Sequence, residues 1–159
     1  MPRKHPNRPD RQLTGLAGEL FVAAELLKRG YQTSVTFGNA KAIDLLAFNA
    51  RTGRSFQIQV KSLRKKTGFP IARKQIVRDH TYVFVVLNKP DESPQYFVVP
   101  GKRLCDRRWK IKGFDAPVFP GILPSALASF EANWAHFEKR TGVAKEAIRK
   151  TSGKRLPRR

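Results

Sequence analysis

The segment that decides the fold is Ser55-Phe56-Gln57-Ile58-Gln59-Val60-Lys61, which follows Ile43-Asp44-Leu45-Leu46 at close range. Polar and apolar side chains alternate along it, as in a strand with one polar face, and Gln59 and Lys61 share that face. Residues 49–54 supply a polar turn, so we expect the two segments to pair as a hairpin with Asp44 at its open end. A carboxylate, an amide and an ammonium group then meet at one end of a sheet, which suits metal-dependent phosphodiester chemistry.

The composition indicates a polyanionic partner. The chain has 159 residues, which is enough for one domain with a single core. Lys and Arg total 32 against 12 Asp and Glu, so the formal charge is +20, and the pI is about 11.0. This excess of positive charge is far beyond what solubility requires. DNA is therefore the expected partner, and RNA is not excluded.

Other sequence features argue against a membrane protein and against a zinc site. No apolar run approaches the roughly 18 to 20 residues that span a bilayer, and the first residues do not resemble a signal peptide. We therefore expect a cytoplasmic protein. The single cysteine, Cys105, excludes an internal disulfide, and His5, His80 and His136 are too widely spread for a zinc site. Any metal is expected to be held mainly by oxygen.

The two ends of the chain are predicted to be basic and flexible. Residues 1–12 contain three prolines and four Lys or Arg residues with almost no apolar side chains. They cannot bury enough surface to offset the entropy of ordering. Residues 149–159 have the same character, which suits either non-specific phosphate contacts or a solvated terminus. Residues 13–148 are expected to form the single domain.

Helices are predicted before and after a run of strands. Thr14 is predicted to cap a helix that runs to about Arg29 and stops at Gly30. Strands follow at about 31–37, 43–49, 55–62, 81–88 and 95–99. Residues 82–87 are apolar on both faces, which is typical of a central strand. A second helix is predicted over about 125–140. Its stripe of core residues is Leu127, Phe130, Trp134 and Phe137. This order implies an α/β or α+β sheet with at least one helix on its face.

Glu19 is an unexpected acid in the first predicted helix. At about 100° per residue, Glu19 falls inside an apolar arc centred on Leu16, whereas Glu25 lies on the opposite side. The other members of that arc are Leu20, Ala23, Ala24, Leu26 and Leu27. An ionised carboxylate there costs several kcal/mol unless it has a partner. The partner is either a metal site or one of the many Lys and Arg side chains.

The remaining polar residues each have a simpler explanation when taken alone. Asp44 is also suited to capping the turn that follows residues 38–41. Gln59 and Lys61 are equally suited to the solvated face of an edge strand. Together with Glu19, however, they make four polar residues in unusual positions, and we predict that these converge on one site.

Their order along the chain resembles the PD-(D/E)XK nuclease superfamily. The matching positions are Glu19 in the first helix, Ile43-Asp44 at the start of a strand and Gln59-Val60-Lys61 in the next. The separation of 15 residues (59 − 44) allows one hairpin. Residues 18–31 are similar to the opening of archaeal Holliday-junction resolvases, and Gln-x-Lys variants occur among Mrr-like restriction endonucleases. The resemblance covers about residues 14–62.

The resemblance implies an α/β, restriction-endonuclease-like fold in which helices flank a mixed central sheet. It also implies a metal-dependent endonuclease that hydrolyses phosphodiester bonds of DNA, with linear, branched and damaged substrates left open. The implied ligands of Mg²⁺, or of Mn²⁺ in its place, are Glu19, Asp44, Gln59 and the Val60 carbonyl. Lys61 would assist the attacking water and counter charge on phosphorus.

Two positions depart from the superfamily pattern. Ile43 replaces the usual proline before the metal-binding Asp, a residue that shapes the turn and does not bind metal. Gln59 replaces the usual acidic residue, which removes one negative charge from the site. The amide oxygen of Gln59 is still a hard ligand for magnesium. The substitution is therefore expected to weaken the site electrostatically without abolishing it.

A basic surface is expected beside this site. The predicted phosphate contacts are Arg64, Lys65, Lys66, Arg73, Lys74 and Arg78. A second candidate patch consists of Arg103, Arg107, Arg108 and Lys110. Binding through such side chains should weaken steeply as salt rises, although each one taken singly is more often a solvated surface charge.

The sequence leaves other functions and assemblies open. A catalytically inactive nucleic-acid-binding module would keep the fold and the charge but lose metal binding through Gln59. An RNA- or ribosome-associated basic protein would explain the charge but not the acidic cluster. A homodimer is also left open. Its interface would be formed by a group of apolar residues, unless these residues simply cover the core of one chain. That group is Phe114, Val118, Phe119 and Leu123.

Overall fold

A five-stranded sheet with a helix against one face organises the computed structural model, which describes residues 11–36 and 43–138. The helices and strands are α1 (Arg11–Lys28), β1 (Gln32–Val35), β2 (Leu45–Asn49), β3 (Arg54–Leu63), β4 (Phe69–Pro70), β5 (Thr81–Val86), β6 (Gln95–Pro100), α2 (Gly101–Leu104) and β7 (Gly121–Ile122). Short 3-10 helices span Arg73–Gln75, Pro124–Phe130 and Trp134–Glu138. Across the described ranges, no helix has both the length and the apolar character needed to cross a membrane.

The main sheet is mixed, with the strand order β1-β2-β3-β5-β6. β3 pairs antiparallel with β2 and parallel with β5, and the other neighbours are antiparallel. β5 is buried along its whole length, which confirms the central strand predicted from its apolar sequence. A separate two-stranded sheet joins β4 to β7. The α/β fold with a mixed central sheet is therefore confirmed.

Hydrophobic clusters cover both faces of the main sheet. On one face, α1 contributes Val22 and Leu26, which pack with Trp134 and Phe137 against β3 and β5. The opposite face is covered by a cluster rich in aromatic residues. Its fully buried members include Phe69, Tyr82, Phe84, Phe114 and Leu127. The sheet is thus the middle layer, and its strand ends are the places left for polar groups.

The first helix starts earlier than predicted and ends where predicted. It begins at Arg11, so Thr14 lies inside the helix instead of capping it. The predicted flexible arm therefore loses its last two residues to α1, and its other residues lie outside the described ranges. At the other end, Gly30 has φ +84°, and Tyr31 N–H donates to the Leu26 carbonyl at 3.1 Å. Glycine stops the helix there because this left-handed conformation favours it.

The buried face of α1 is rotated from the predicted arc. Leu16, Leu20 and Leu27 were predicted to face the core, but they are 41%, 50% and 55% exposed. The buried stripe instead contains Gly18, Val22, Ala23 and Leu26. The reason is steric, because Gly18 lies directly against Ser62 of β3. The prediction from apolar residues missed this contact, because it depends on the absence of a side chain at Gly18.

The continuous helix predicted over 125–140 was wrong. Two 3-10 helices replace it within the described part, and residues 139 and 140 lie outside that part. Between them, Glu131 forms a bridge with Phe97 of β6, and Ala132 has φ +47°. The chain therefore wraps around the edge of the sheet. The predicted stripe is split between the two faces: Leu127 and Phe130 pack on one, Trp134 and Phe137 on the other.

The contact between α1 and β3 predicts opposite effects for two glycines of the same helix. A Cβ at position 18 would lie 2.8 Å from the Ser62 Cβ, whereas nothing lies within 4 Å of a Cβ at position 15. Gly18→Ala should lower the free energy of unfolding by about 1 to 3 kcal/mol. Gly15→Ala should raise it by about 0.5 to 1 kcal/mol through helix propensity. Urea denaturation of both variants measures this. Equal effects would contradict the packing described.

Candidate functional site

Asp44 is held at the start of β2 by the backbone of β3. Its N–H donates to the Ile58 carbonyl at 2.9 Å, and its carboxylate Oδ2 accepts a hydrogen bond from Val60 N–H at 2.7 Å. The strand register pairs Leu45 with Ile58, so the next step along both strands puts Asp44 opposite Gln59. The hairpin predicted from the sequence is present, and Asp44 lies at its open end.

Gln59 and Lys61 lie on the part of β3 beyond its pairing with β2, which ends at Ile58. Both are half-buried, and they alternate with Ile58 and Val60, which are buried. Across the parallel pair, Gln59 lies beside Tyr82 and Lys61 beside Phe84. β5 pairs with this part of β3 on one side, and on the other side the Asp44 carboxylate binds the Val60 N–H. Gln59 and Lys61 are half-buried there, which argues against the fully solvated face of an edge strand. Half-buried polar groups need hydrogen-bonding or ionic partners.

Glu19 reaches the same region through the close approach of α1 to β3. It follows Gly18, which lies against Ser62, the residue next to Lys61. Burial raises the pKa of the Glu19 carboxyl above its usual value, the negative charge of Asp44 raises it further, and Lys61 lowers it. Within the described ranges, Glu19 forms no salt bridge with a Lys or Arg. The structure therefore brings Glu19, Asp44 and Lys61 within electrostatic range of one another.

The oxygen atoms at this site are of the chemical type that a hard divalent cation prefers. They belong to the two carboxylates of Glu19 and Asp44 and to the amide group of Gln59. Among the residues that the structure describes, no group of three His, Cys, Asp or Glu side chains is arranged to hold a metal. Magnesium commonly uses only one or two carboxylates, with water and substrate oxygens completing its shell. These residues fit such an ion, whereas they do not form an all-protein cage.

The fold is shared with a solved nuclease. The structure of a bacterial homing endonuclease, I-Ssp6803I, matches with a TM-score of 0.57 at 17% identity, over 89% of this chain and 99% of that chain. The chain has a restriction-endonuclease-like fold. The Holliday junction resolvase Hjc of Archaeoglobus fulgidus, an archaeal hyperthermophile, matches with a TM-score of 0.42 at 20% identity, over 72% and 95% of the two chains. Both neighbours belong to the PD-(D/E)XK-like nuclease superfamily. No protein-family model and no curated protein matches the sequence.

The predicted phosphate contacts fall into separate groups in this restriction-endonuclease-like fold. Arg64, Lys65 and Lys66 are exposed directly after β3, and Arg64 Nε donates to the Thr14 Oγ1 of α1 at 3.1 Å. This group therefore begins three residues after Lys61. Lys74 is exposed elsewhere, beside the loop that follows Phe114.

Arg73 does not lie on the predicted phosphate-binding surface. Its side chain is only 7% exposed and pairs with Asp115, with Nε 2.9 Å from Oδ1. The guanidinium also donates to the backbone carbonyls of Leu104, Asp106 and Trp109. These bonds occupy four of its five N–H donors, so Arg73 is a structural residue that joins β4 to the segment after α2. The charge of Arg73 in the sequence could not distinguish it from its exposed basic neighbours.

Three residues of the second predicted patch, Arg103, Arg107 and Arg108, line a basic cleft of about 500 Å³, whereas Lys110 is not among its lining residues. The charged lining residues of the cleft are Arg78, Lys102, Arg103, Asp106, Arg107 and Arg108. Arg78 therefore belongs to this cleft and not to the group after β3. Asp106 partly neutralises it, and hydrogen bonds from Arg108 lower the Asp106 pKa to about 2. Lys102 was not predicted, although its position next to Arg103 in the sequence could have indicated it.

The apolar group proposed for a dimer interface is divided by the structure. Phe114 is fully buried in the core, so it is not available to a partner. Val118, Phe119 and Leu123 are 67%, 95% and 50% exposed. A homodimer remains a prediction, and only these three residues of the original group could take part in it.

The pair between Arg73 and Asp115 predicts a specific loss of stability in acid. A hydrogen bond from Arg73 lowers the Asp115 pKa from its usual 3.8. The stabilisation is therefore complete above that value and is lost as pH falls towards the lowered pKa. In Asp115→Asn, the free energy of unfolding should fall less steeply than in the wild type below pH 3.8. Urea denaturation at several pH values measures both slopes. Asp91→Asn, an exposed carboxylate in another loop, is the control and should keep the wild-type slope.

Proposed function

We propose that this chain is a metal-dependent endonuclease that hydrolyses phosphodiester bonds of DNA, with branched or damaged DNA among its candidate substrates. The convergence of Glu19, Asp44 and Lys61 beside β3 is the observation that carries the proposal. The shared fold with a homing endonuclease supports the same class of chemistry. The formal charge of +20 supports a polyanionic substrate.

Each proposed catalytic residue has a role that follows from its position. Asp44 and Gln59 would hold Mg²⁺ or Mn²⁺, with the Val60 carbonyl beside them and Glu19 as a further oxygen ligand. The ion, when bound, would polarise a phosphoryl oxygen and offset the charge that builds on it. Lys61 would orient the attacking water and counter the same charge. Glu19 would accept a hydrogen bond from that water.

Asp44 has a structural task in addition to its proposed catalytic one. Its carboxylate accepts the Val60 N–H, so Asp44→Ala would leave that donor without its partner at a cost of about 1 to 3 kcal/mol. Asp44→Asn keeps an oxygen in this position and removes only the charge. The asparagine variant is therefore the sharper test of metal binding.

Cleavage should depend on a divalent metal and on both Asp44 and Lys61. We expect supercoiled, linear or four-way-junction DNA to be cut with Mg²⁺ or Mn²⁺ and not with EDTA. Asp44→Asn and Lys61→Met should each lower the rate by on the order of 100-fold or more, because each removes charge at the reacting phosphate. Gel assays of the nicked and cut products measure the rates.

Matched controls separate loss of chemistry from loss of fold or of binding. Asp91→Asn and Lys89→Met make the same changes of charge at exposed positions and should cut as the wild type does. All four variants should retain DNA binding in EDTA by gel shift. Wild-type protein that binds DNA but never cuts it with either metal would contradict the endonuclease.

The inactive binding module remains the alternative because Gln59 supplies no charge and the described residues hold no three-ligand cluster. Under that alternative, Gln59→Glu would restore the missing negative charge without creating activity. An endonuclease weakened only by its glutamine should bind Mn²⁺ more tightly in Gln59→Glu. Isothermal titration with Mn²⁺ alone measures the binding, and gel assays of DNA cleavage by Gln59→Glu with Mn²⁺ distinguish the two functions.

The exposed lysines after β3 should contribute to binding through phosphate contacts. Removing both Lys65 and Lys66 should lower the magnitude of the slope of log K against log salt by up to about two, at roughly 0.9 per phosphate contact. Fluorescence anisotropy with labelled duplex DNA in EDTA measures the slope. The double variant Lys28→Ala/Lys89→Ala loses the same charge elsewhere. If it changes the slope equally, the lysines after β3 form no specific surface.

A further inference from the structure

The loop between Phe114 and β7 presents an apolar tip to solvent. Its sequence is Asp115-Ala116-Pro117-Val118-Phe119-Pro120. Phe119 is 95% exposed, the largest exposed fraction among the large hydrophobic side chains of the described residues. Its φ is +52°, a conformation that a phenylalanine seldom adopts, and prolines two residues before and one after it restrict the backbone further. The aromatic ring is therefore held away from the core.

The base of this loop is anchored on both sides. Phe114 is buried in the core before it, and Gly121 pairs with Pro70 after it. Across the base, Gly121 N–H donates to the Gly113 carbonyl at 3.0 Å. Asp115 is held by the buried Arg73. The loop is thus a short projection on a fixed base.

Basic side chains lie beside the loop that carries the apolar tip. Lys74 lines a cleft of about 310 Å³ together with Pro117 and Pro120. Arg107 and Lys110 are close enough to Asp115 to lower the pKa of its carboxyl, after the larger effect of Arg73. A partner that fits must offer negative charge around an apolar or aromatic surface. DNA has this combination, because its phosphates flank stacked bases.

We propose that Phe119 is a wedge that inserts between bases of the DNA substrate and favours sites that are already unstacked or easily kinked. Proteins that bend or open DNA commonly insert apolar side chains between base steps, flanked by contacts to the phosphates. The proposal rests on the proposed DNA-cleaving function and adds what the substrate must provide: a flexible step, a branch point or a damaged base pair.

The chain lengths allow one stretch of DNA to contact both the wedge and the proposed active site. β4 begins eight residues after Lys61 (69 − 61), so it lies no more than about 27 Å away. β7 pairs with β4, and Phe119 is two residues before Gly121. The tip is therefore within about 40 Å of Lys61, which is little more than one turn of duplex DNA.

A second copy of this chain is the competing occupant of the tip. Two such surfaces would bring Lys74, Arg107 and Lys110 of each copy together. With a formal charge of +20 per chain, this repulsion opposes association through the tip, whereas the same charge attracts DNA. The charge therefore favours DNA.

The test is 2-aminopurine fluorescence in EDTA, where no cleavage interferes. The probes are a duplex with 2-aminopurine at a TA step and a four-way junction with 2-aminopurine at the branch point. Wild-type protein should raise the fluorescence, because unstacking relieves quenching. Phe119→Ala should lose most of this rise and bind the junction on the order of tenfold more weakly. Phe119→Leu should retain most of the rise, and Phe21→Ala, an exposed phenylalanine of α1, should retain all of it.

The other outcomes contradict either the wedge alone or the wedge together with the endonuclease. Equal fluorescence with wild type and Phe119→Ala, in protein that binds and cuts DNA, overturns the wedge and leaves the endonuclease standing. No DNA binding by the wild type overturns both. Analytical ultracentrifugation measures the oligomeric state. A wild-type dimer that becomes a monomer in Phe119→Ala would assign the tip to a second copy and overturn the wedge.

Discussion

The absence of a side chain at Gly18 is the constraint on which the candidate site depends. α1 lies against β3 at this point, where a Cβ would come within 2.8 Å of the Ser62 Cβ. This approach brings the neighbouring Glu19 within electrostatic range of Lys61 and of Asp44, which is held to β3 by the Val60 N–H. A larger residue at position 18 would push the helix outward and take Glu19 with it. The contact that packs the core thus also arranges the charges.

Charge has two distinct uses in this strongly basic chain. Most of the Lys and Arg side chains of the described residues are exposed, and they form surfaces suited to phosphates. Arg73 instead is buried, with four donors bonded to Asp115 and to backbone carbonyls, and its guanidinium lies 4.5 Å from the centre of the Phe114 ring. It fixes the base of the loop that carries Phe119. A buried structural arginine therefore supports the exposed apolar tip, which we propose to be functional.

The local sequence pattern predicted the structure correctly wherever residues close together in the chain determine it. The alternation in β3, the apolar run of β5 and the glycine at the end of α1 each specified an element, and the spacing of Asp44 from Gln59 specified one hairpin. The order of Glu19, Asp44, Gln59 and Lys61 also indicated the restriction-endonuclease-like fold. The helix predicted over about 125–140 was wrong. The spacing of Leu127 and Trp134 is typical of one helical stripe, but it does not show whether the two residues pack on the same face of the sheet or on opposite faces.

The sequence by itself thus determined the five strands of the main sheet and their order along the chain, the end of the first helix and the identity of the polar residues that needed a partner. Only the tertiary structure decided which face of α1 is buried, since Leu16 and Gly18 are interchangeable in a hydrophobicity pattern but not in the space beside Ser62. It also decided that Arg73 is buried while Lys74 is exposed. The physical reason is the same in both cases: close packing and donor satisfaction depend on residues distant along the chain, which no local periodicity records.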